Sequence, residues 1–222
     1  MPLFNEAKTI GPLLDNIQGQ SYRVLVVDDG SQDEGARIAR SKGCTLLELG
    51  KNHGKGFALQ RGFQYLLNQP SWEITVLLDS DGQHDSQEIR NFIQAHQNLG
   101  ADIVVGNRMT SRQGMPWVRW TTNRFTSYWV SRLARQEIAD SQCGFRSLRR
   151  KVLADLSLTC EHFDLESEML IQAGRKGCKI VSIPIRTTYG GQRSRIRPLA
   201  DTVRFFKLLL KYSLFRGVAQ LG

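Results

Sequence analysis

The sequence predicts an α/β protein: a mostly parallel central sheet flanked by helices, with a first strand apparently missing or truncated. Three observations carry this expectation. Short β-branched or apolar runs alternate with helical stretches through the first half of the chain, and that alternation is the mark of a doubly wound sheet. The connections between them are short. Acidic residues follow directly on the strand-like runs, where open α/β sheets bind ligands.

The elements are read in order. Pro2-Leu3-Phe4-Asn5-Glu6 resembles the loop after a strand, and a helix is expected over about 7–17. Only Met1 stands before that loop, whereas a strand takes about 5–6 residues. The start is therefore expected upstream or the chain is truncated, and loss of a central strand would leave neighbouring ladder groups unpaired. Residues 23–27 read as a strand ending in Asp28-Asp29-Gly30-Ser31. A polar helix at 34–42 and a strand at 45–49 follow. The glycine-bearing loop 51–56 opens a helix reaching about 68. Ile74-Thr75-Val76-Leu77-Leu78 has no helical period and reads as a buried strand. A helix over 86–99 and a strand at 102–106 complete the regular half. The second half is less regular and shows no linker. One domain over 1–222 is expected, with a C-terminal amphipathic helical segment at about 199–222.

At 222 residues the chain can bury one sizeable core. Its formal net charge of +9 points to an anionic partner: nucleic acid, a phosphorylated substrate or an anionic membrane. The four cysteines are dispersed without a Cys-x-x-Cys pair, so zinc and redox motifs are unsupported and reduced thiols are expected. No apolar stretch approaches the ~18–20 residues of a membrane span, and no signal peptide is seen.

Asp79-Ser80-Asp81-Gly82-Gln83-His84-Asp85 is the most informative stretch. An Asp-x-Asp pair at a strand's carboxyl end, with a carboxamide two residues on, offers hard oxygen ligands to Mg²⁺ or Mn²⁺. The same residues could instead cap a turn. Asp28 and Asp29 could accept from a base N–H or ribose hydroxyls, or cap their own turn. Gly54, Gly56 and Gly62 allow close backbone approach. Lys55 is available to a phosphate or to solvent, although the pattern is not a P-loop.

The chain resembles the family-2 glycosyltransferases with a GT-A, Rossmann-like fold, and most closely their dolichyl- or polyprenyl-phosphate sugar synthases. The resemblance is carried in order by Pro2-Leu3-Phe4-Asn5-Glu6, Val27-Asp28-Asp29-Gly30-Ser31 with Asp33, and Asn52-His53-Gly54-Lys55-Gly56 with Ala58 and Gly62. Asp79-Ser80-Asp81-Gly82-Gln83-His84, Gly106-Asn107-Arg108 and Asp140-Ser141-Gln142-Cys143-Gly144-Phe145-Arg146 follow. Phe163-Asp164-Leu165-Glu166-Ser167-Glu168, Ile183-Pro184-Ile185 and Tyr189 with Ser194-Arg195 complete it. The resemblance implies nucleotide-sugar binding by Pro2, Asn5, Glu6, Asp28, Asp29, Lys55 and Asp79. It implies a Mg²⁺ or Mn²⁺ site at Asp79, Asp81 and Gln83, which would neutralise the departing diphosphate. Asp81, Asp140 and Arg108 are the catalytic candidates.

The acceptor decides the mechanism. A sugar hydroxyl needs a general base, for which Asp140 is the candidate. A polyprenyl phosphate is already ionised and needs cations instead, which Arg108, Arg124 and Arg195 could supply, since arginine donates bidentately to phosphate; the resemblance implies Arg108, Ser194 and Arg195 at phosphate-handling positions. Arg195 stands where the subgroup often has Lys. The preferred reading is inverting, metal-dependent transfer from a UDP- or GDP-sugar to a polyprenyl phosphate, peripherally at the cytoplasmic face of the membrane. Residues 115–133 and 199–221 interleave aromatic or apolar residues with basic ones, as interfacial helices do, although core-facing helices would also explain them. A membrane-protein partner or a missing terminal segment would fit as well. A basic nucleic-acid-binding module is the rival from another class; no nucleic-acid partner is expected, because strand-end acids would repel phosphate.

Overall fold

The computed structural model describes residues 1–20, 22–110, 115–187 and 198–214. Its first half runs β1 (Pro2–Leu3), α1 (Ala7–Gln18), β2 (Leu25–Asp28), α2 (Gly35–Ser41), β3 (Thr45–Glu48), α3 (Lys55–Leu67), β4 (Ile74–Leu77), α4 (Ile89–Asn98) and β5 (Ile103–Asn107). Then come α5 (Trp117–Ala134), β6 (Arg146–Arg149), α6 (Arg150–Asp155), α7 (Asp164–Arg175), β7 (Ile180–Pro184) and α8 (Pro198–Leu214). A 3₁₀ turn at Ser86–Glu88 leads into α4, its first amides capped by Asp85, which accepts from Gln87 N at 2.9 Å.

The strands form two ladders. One is β1-β2-β3, parallel throughout. The other is β4-β6-β5-β7, in which β7 runs parallel to β5 and β6 runs antiparallel to both its neighbours. Pro2 and Leu3, expected to be a loop, instead pair with Val27 and Asp28 as a two-residue strand. The reason is burial: Leu3 sits in a small core with Ile10, Leu14, Val26 and Ala39. Among the described residues no ladder joins β1 to β4. The antiparallel β6 is the second departure, because Arg-Ser-Leu-Arg carries no strand pattern.

Helices cover the ladders through apolar stripes. On α1, Ile10, Leu13, Leu14 and Ile17 repeat at helical spacing and are buried; each such side chain contributes about 1.5–3 kcal/mol. The larger core gathers around Phe92, Ile103–Val105, Phe145 and the α7 residues Met169–Ile171. Two helices depart from this economy. On α5 the inner face begins with Asn123, Thr126 and Ser127, while Trp117, Val118, Phe125, Tyr128 and Trp129 are exposed. On α8, Leu208, Leu209 and Tyr212 point inward and Val203, Phe206, Leu210 and Leu214 point out.

Candidate active site

The segments leaving β1, β2, β4 and β5 at their carboxyl ends meet the start of α7 and one face each of α5 and α8 around a cavity of about 660 Å³. Its acidic edge comes from the segment after β4, where Asp79, Ser80, Asp81, Gln83 and His84 all line the cavity. Thr9 Oγ1 donates to Ser80 O at 2.7 Å, and Gln83 N donates to Asp81 Oδ1 at 3.0 Å. Gly144 lies so close that a Cβ there would strike the Asp79 carboxylate.

Lys55 opens α3 beneath this edge. Its Nζ is 2.7 Å from Asp79 Oδ1 and 3.1 Å from Glu166 Oε1. Burial disfavours the ammonium, but the two carboxylates outweigh it and raise its pKa. Burial likewise opposes ionisation of Asp79, and Lys55 reverses that, holding its carboxyl below the ordinary range. Lys55 is thus engaged with acids rather than presented to solvent. Asp81 behaves in the opposite way: burial, then the charge of Asp79, push its carboxyl up. His84 is buried beside the Phe145 ring at 5.5 Å, and burial lowers its pKa to about 4, so it is neutral.

Among the described residues no three His, Cys, Asp or Glu side chains converge as a ready cation cage. The donor set nevertheless fits a hard divalent cation. Two carboxylates and a carboxamide line one edge, and the ionised form of Asp81 is disfavoured as it stands. A cation is what relieves that repulsion.

The residues expected at the nucleotide divide into two groups. Pro2, Glu6, Asp29, Lys55 and Asp79 line the cavity, whereas Asn5 and Asp28 do not. Asp28 accepts from Ser31 N at 3.2 Å, the turn-capping role. Asn5 Oδ1 accepts from Gln32 N at 2.7 Å. Asp29 accepts from His53 N and Gly54 N, both at 2.8 Å, and so fixes the glycine loop while facing the cavity. That loop is pressed against residues 161–162, where a side chain at Gly56 would meet backbone.

Three arginines also line the cavity: Arg108 from the end of β5, Arg119 from α5 and Arg204 from α8, the last ion-paired with Asp201 at 2.7 Å. Arg124 is not among them; it is exposed and lies 5.2 Å over the Trp120 ring. Ser194 and Arg195 lie outside the described residues. Asp140 does not line the cavity either. It is fully buried, with Arg108 Nε and NH2 donating to it at 2.7 and 2.9 Å. Burial opposes its ionisation, and the Arg108 guanidinium outweighs burial and lowers its pKa.

Arg119, Arg204 and Glu166 are the site residues that sequence reasoning passed over. Helical spacing was the available signal for Arg119: it stands four residues before the buried Asn123, whereas Arg124 is turned about 100° away.

Residues 1–157 match the family model described as Glycosyl transferase family 2. An uncharacterised protein of Methanocaldococcus jannaschii is 31% identical over 220 residues, covering 95% of this chain and 88% of that one. A dolichyl-phosphate hexose transferase of Haloferax volcanii is 28% identical over 218 residues, covering 96% and 92%. Glucosyl-3-phosphoglycerate synthase of Mycobacterium tuberculosis, solved with Mn²⁺, UDP and phosphoglyceric acid, is similar at a TM-score of 0.69 and 20% identity, covering 97% of this chain and 76% of that one. At that identity the likeness carries the fold alone, which is GT-A.

Proposed function

The chain belongs to glycosyl transferase family 2 and is a glycosyltransferase, and from that premise we propose that it moves a sugar from a nucleotide-sugar donor to a polyprenyl phosphate at a membrane surface, with inversion. The carrying observation is that one cavity is lined by Asp79, Asp81 and Gln83 and also by Arg108, Arg119 and Arg204. Such a lining offers donors for a cation-bound diphosphate together with cations for a second phosphate.

Asp79, Asp81 and Gln83 would hold the divalent cation, whose chemistry is charge neutralisation of the leaving nucleoside diphosphate. A GT-A neighbour solved with Mn²⁺ and UDP supports the use of a divalent cation. Lys55 keeps Asp79 ionised and ready for it. Arg108 and the cations beside it hold the acceptor phosphate, whose oxygen attacks the anomeric carbon. The bond from that carbon to the diphosphate oxygen breaks, and the electron pair leaves with the diphosphate. No proton needs removing from an ionised phosphate, so no general base is required. All of residues 1–222 would form one catalytic unit.

A chain of aromatic rings favours a lipid acceptor. Trp129 meets Phe125 at 6.4 Å, Phe125 meets Phe206 at 6.4 Å, and Phe206 meets Phe205 at 6.4 Å. Phe205 lines the cavity, whereas Phe125, Trp129 and Phe206 are exposed. An apolar track therefore leads from the cavity to the outer face of α5 and α8. No described helix is long and apolar enough to cross a membrane. The exposed aromatic face of α5 and α8 is the proposed membrane contact. The four free cysteines suit the cytoplasmic side.

The test has two parts. The melting temperature is followed with UDP and with GDP, each with and without Mn²⁺, because a ligand specific to the folded state raises it by mass action. A metal-dependent rise with one nucleotide is expected and identifies the donor class. Transfer from the matching nucleotide sugars is then assayed on a polyprenyl phosphate and on simple glycosides; turnover on glycosides alone would exclude the phosphate acceptor.

A further inference from the structure

We propose that Asp140 and Asn123 are positioning residues that aim Arg108 at the acceptor phosphate, and that Asp140 is not a general base. The inference rests on the phosphate-acceptor reading above.

The geometry of one carboxylate carries it. Asp140 Oδ2 accepts from Arg108 N at 3.1 Å and Arg108 Nε at 2.7 Å. Its Oδ1 accepts from Arg108 NH2 at 2.9 Å and Asn123 Nδ2 at 2.6 Å. A carboxylate has about four lone-pair sites, and here four N–H groups fill them. A general base needs a free lone pair within about 2.6–3.2 Å of the hydroxyl it deprotonates. Asp140 is fully buried and absent from the cavity lining, while Arg108, the group it grips, does line the cavity. Asp140 therefore reaches the substrate only through Arg108. The depressed pKa of Asp140 agrees, because the pair is ionised at neutral pH.

Asn123 fixes the other side. It is buried on α5, and its Oδ1 accepts from Ser127 Oγ at 3.0 Å, which sets the amide so that Nδ2 faces Asp140. Ser127 Oγ in turn accepts from Ser141 N at 2.8 Å, the residue after Asp140. Arg108, the 140–141 segment and α5 are thereby joined by buried hydrogen bonds. Such a fork placed against a carboxylate presents its remaining edge in a fixed direction. The helix that orients Arg108 is also the one whose outer face is aromatic, so lipid contact and phosphate capture share one rigid element.

The experiment is a double-mutant cycle on the full chain with a short-chain polyprenyl phosphate as acceptor. Asp140→Asn, Asn123→Ala, Arg108→Ala and the Arg108→Ala/Asp140→Asn double variant are assayed for acceptor KM, kcat, pH profile and nucleotide affinity by thermal shift. Asp140→Asn should raise acceptor KM about 10–100-fold and Asn123→Ala about 3–10-fold, the range expected when a buried charged pair or one of its hydrogen bonds is weakened. Nucleotide affinity should stay within twofold, and the acidic limb of the wild-type pH profile should persist. The double variant should be no worse than Arg108→Ala alone, since residues acting through one another are non-additive. An additive cycle, or a loss of about 10³-fold in kcat with KM unchanged and the acidic limb gone, would overturn the inference. So would an unchanged KM in Asn123→Ala, the variant that keeps the ion pair and tests the idea should Asp140→Asn fail to fold. If the wild type binds nucleotide but transfers nothing to polyprenyl phosphate, the acceptor reading itself has failed, a result distinct from any of these.

Discussion

Glu168 shows at single-residue scale how this molecule handles buried charge. It is fully buried on α7 and accepts from Thr159 N at 2.8 Å, Cys160 N at 2.9 Å, Lys211 Nζ at 2.7 Å and Tyr212 OH at 3.1 Å. Burial pushes its carboxyl up, but Lys211 and the backbone donors win and bring it down to about 2 from 4.5. A carboxyl depressed in the folded state contributes stability that is complete above its ordinary pKa and lost as pH falls through the folded value. Glu168→Gln should therefore cost about 3 kcal/mol at neutral pH. Urea melts should show that gap closing between pH 4.5 and 2. Asp81 has the opposite sign: its carboxyl is raised by burial and by Asp79, so its ionised form costs stability at neutral pH. Asp81→Asn should leave the melting temperature equal or higher while abolishing the Mn²⁺-dependent nucleotide shift, the usual exchange between stability and function. Asp79, Asp81 and Gln83 were legible in sequence as cavity-lining residues, because they follow directly on an apolar strand. Asp28 and Asn5 were less so, since a turn cap and a ligand contact use the same side chains.

Among the elements, α8 has its apolar residues on both faces. Leu208, Leu209 and Tyr212 bind it to the core, and Val203, Phe206, Leu210 and Leu214 form an exposed stripe. Lys207 flanks the stripe, Lys211 is held by the buried Glu168, and the acidic Asp201 is already paired with Arg204. On a lipid surface, apolar insertion and attraction to anionic headgroups would act together. Phe206→Ser with Leu210→Ser should abolish co-sedimentation with anionic vesicles and leave the melting temperature within about 2 °C, because both side chains are exposed. Wild-type association should weaken with added salt; equal binding by the variant would remove the stripe from the account. Helices and strands of the first half fall within a few residues of their sequence positions because their periods are clear. β6 had no such period: Arg146 and Ser147 are polar yet fully buried. Arg146 is satisfied by the carbonyls of Cys143, Ser141 and Glu166, and Ser147 Oγ by His96 Nε2 at 2.7 Å. A strand whose buried polar groups are satisfied by backbone carbonyls and by a histidine 51 residues away cannot be recognised from local pattern.

At the scale of the whole molecule, strand order is what makes a site. The parallel ladder β1-β2-β3 and the mixed ladder β4-β6-β5-β7 bring four strand ends, the start of α7 and two basic helices to one cavity. The net charge of +9 gives such a site a favourable field for anions, as the proposed diphosphate donor and phosphate acceptor require. The sequence by itself determined the α/β class, the family and the run of strand-end acids that lines the cavity, because strand periodicity, glycine spacing and strand-end acids are local properties of the chain. Only the tertiary structure decided which cations reach the cavity, that Lys55 answers to Asp79 and Glu166, and that Asp140 is saturated by Arg108 and Asn123. Those partners lie 17 to 111 residues apart, and a carboxylate's role depends on which donors fill its lone pairs.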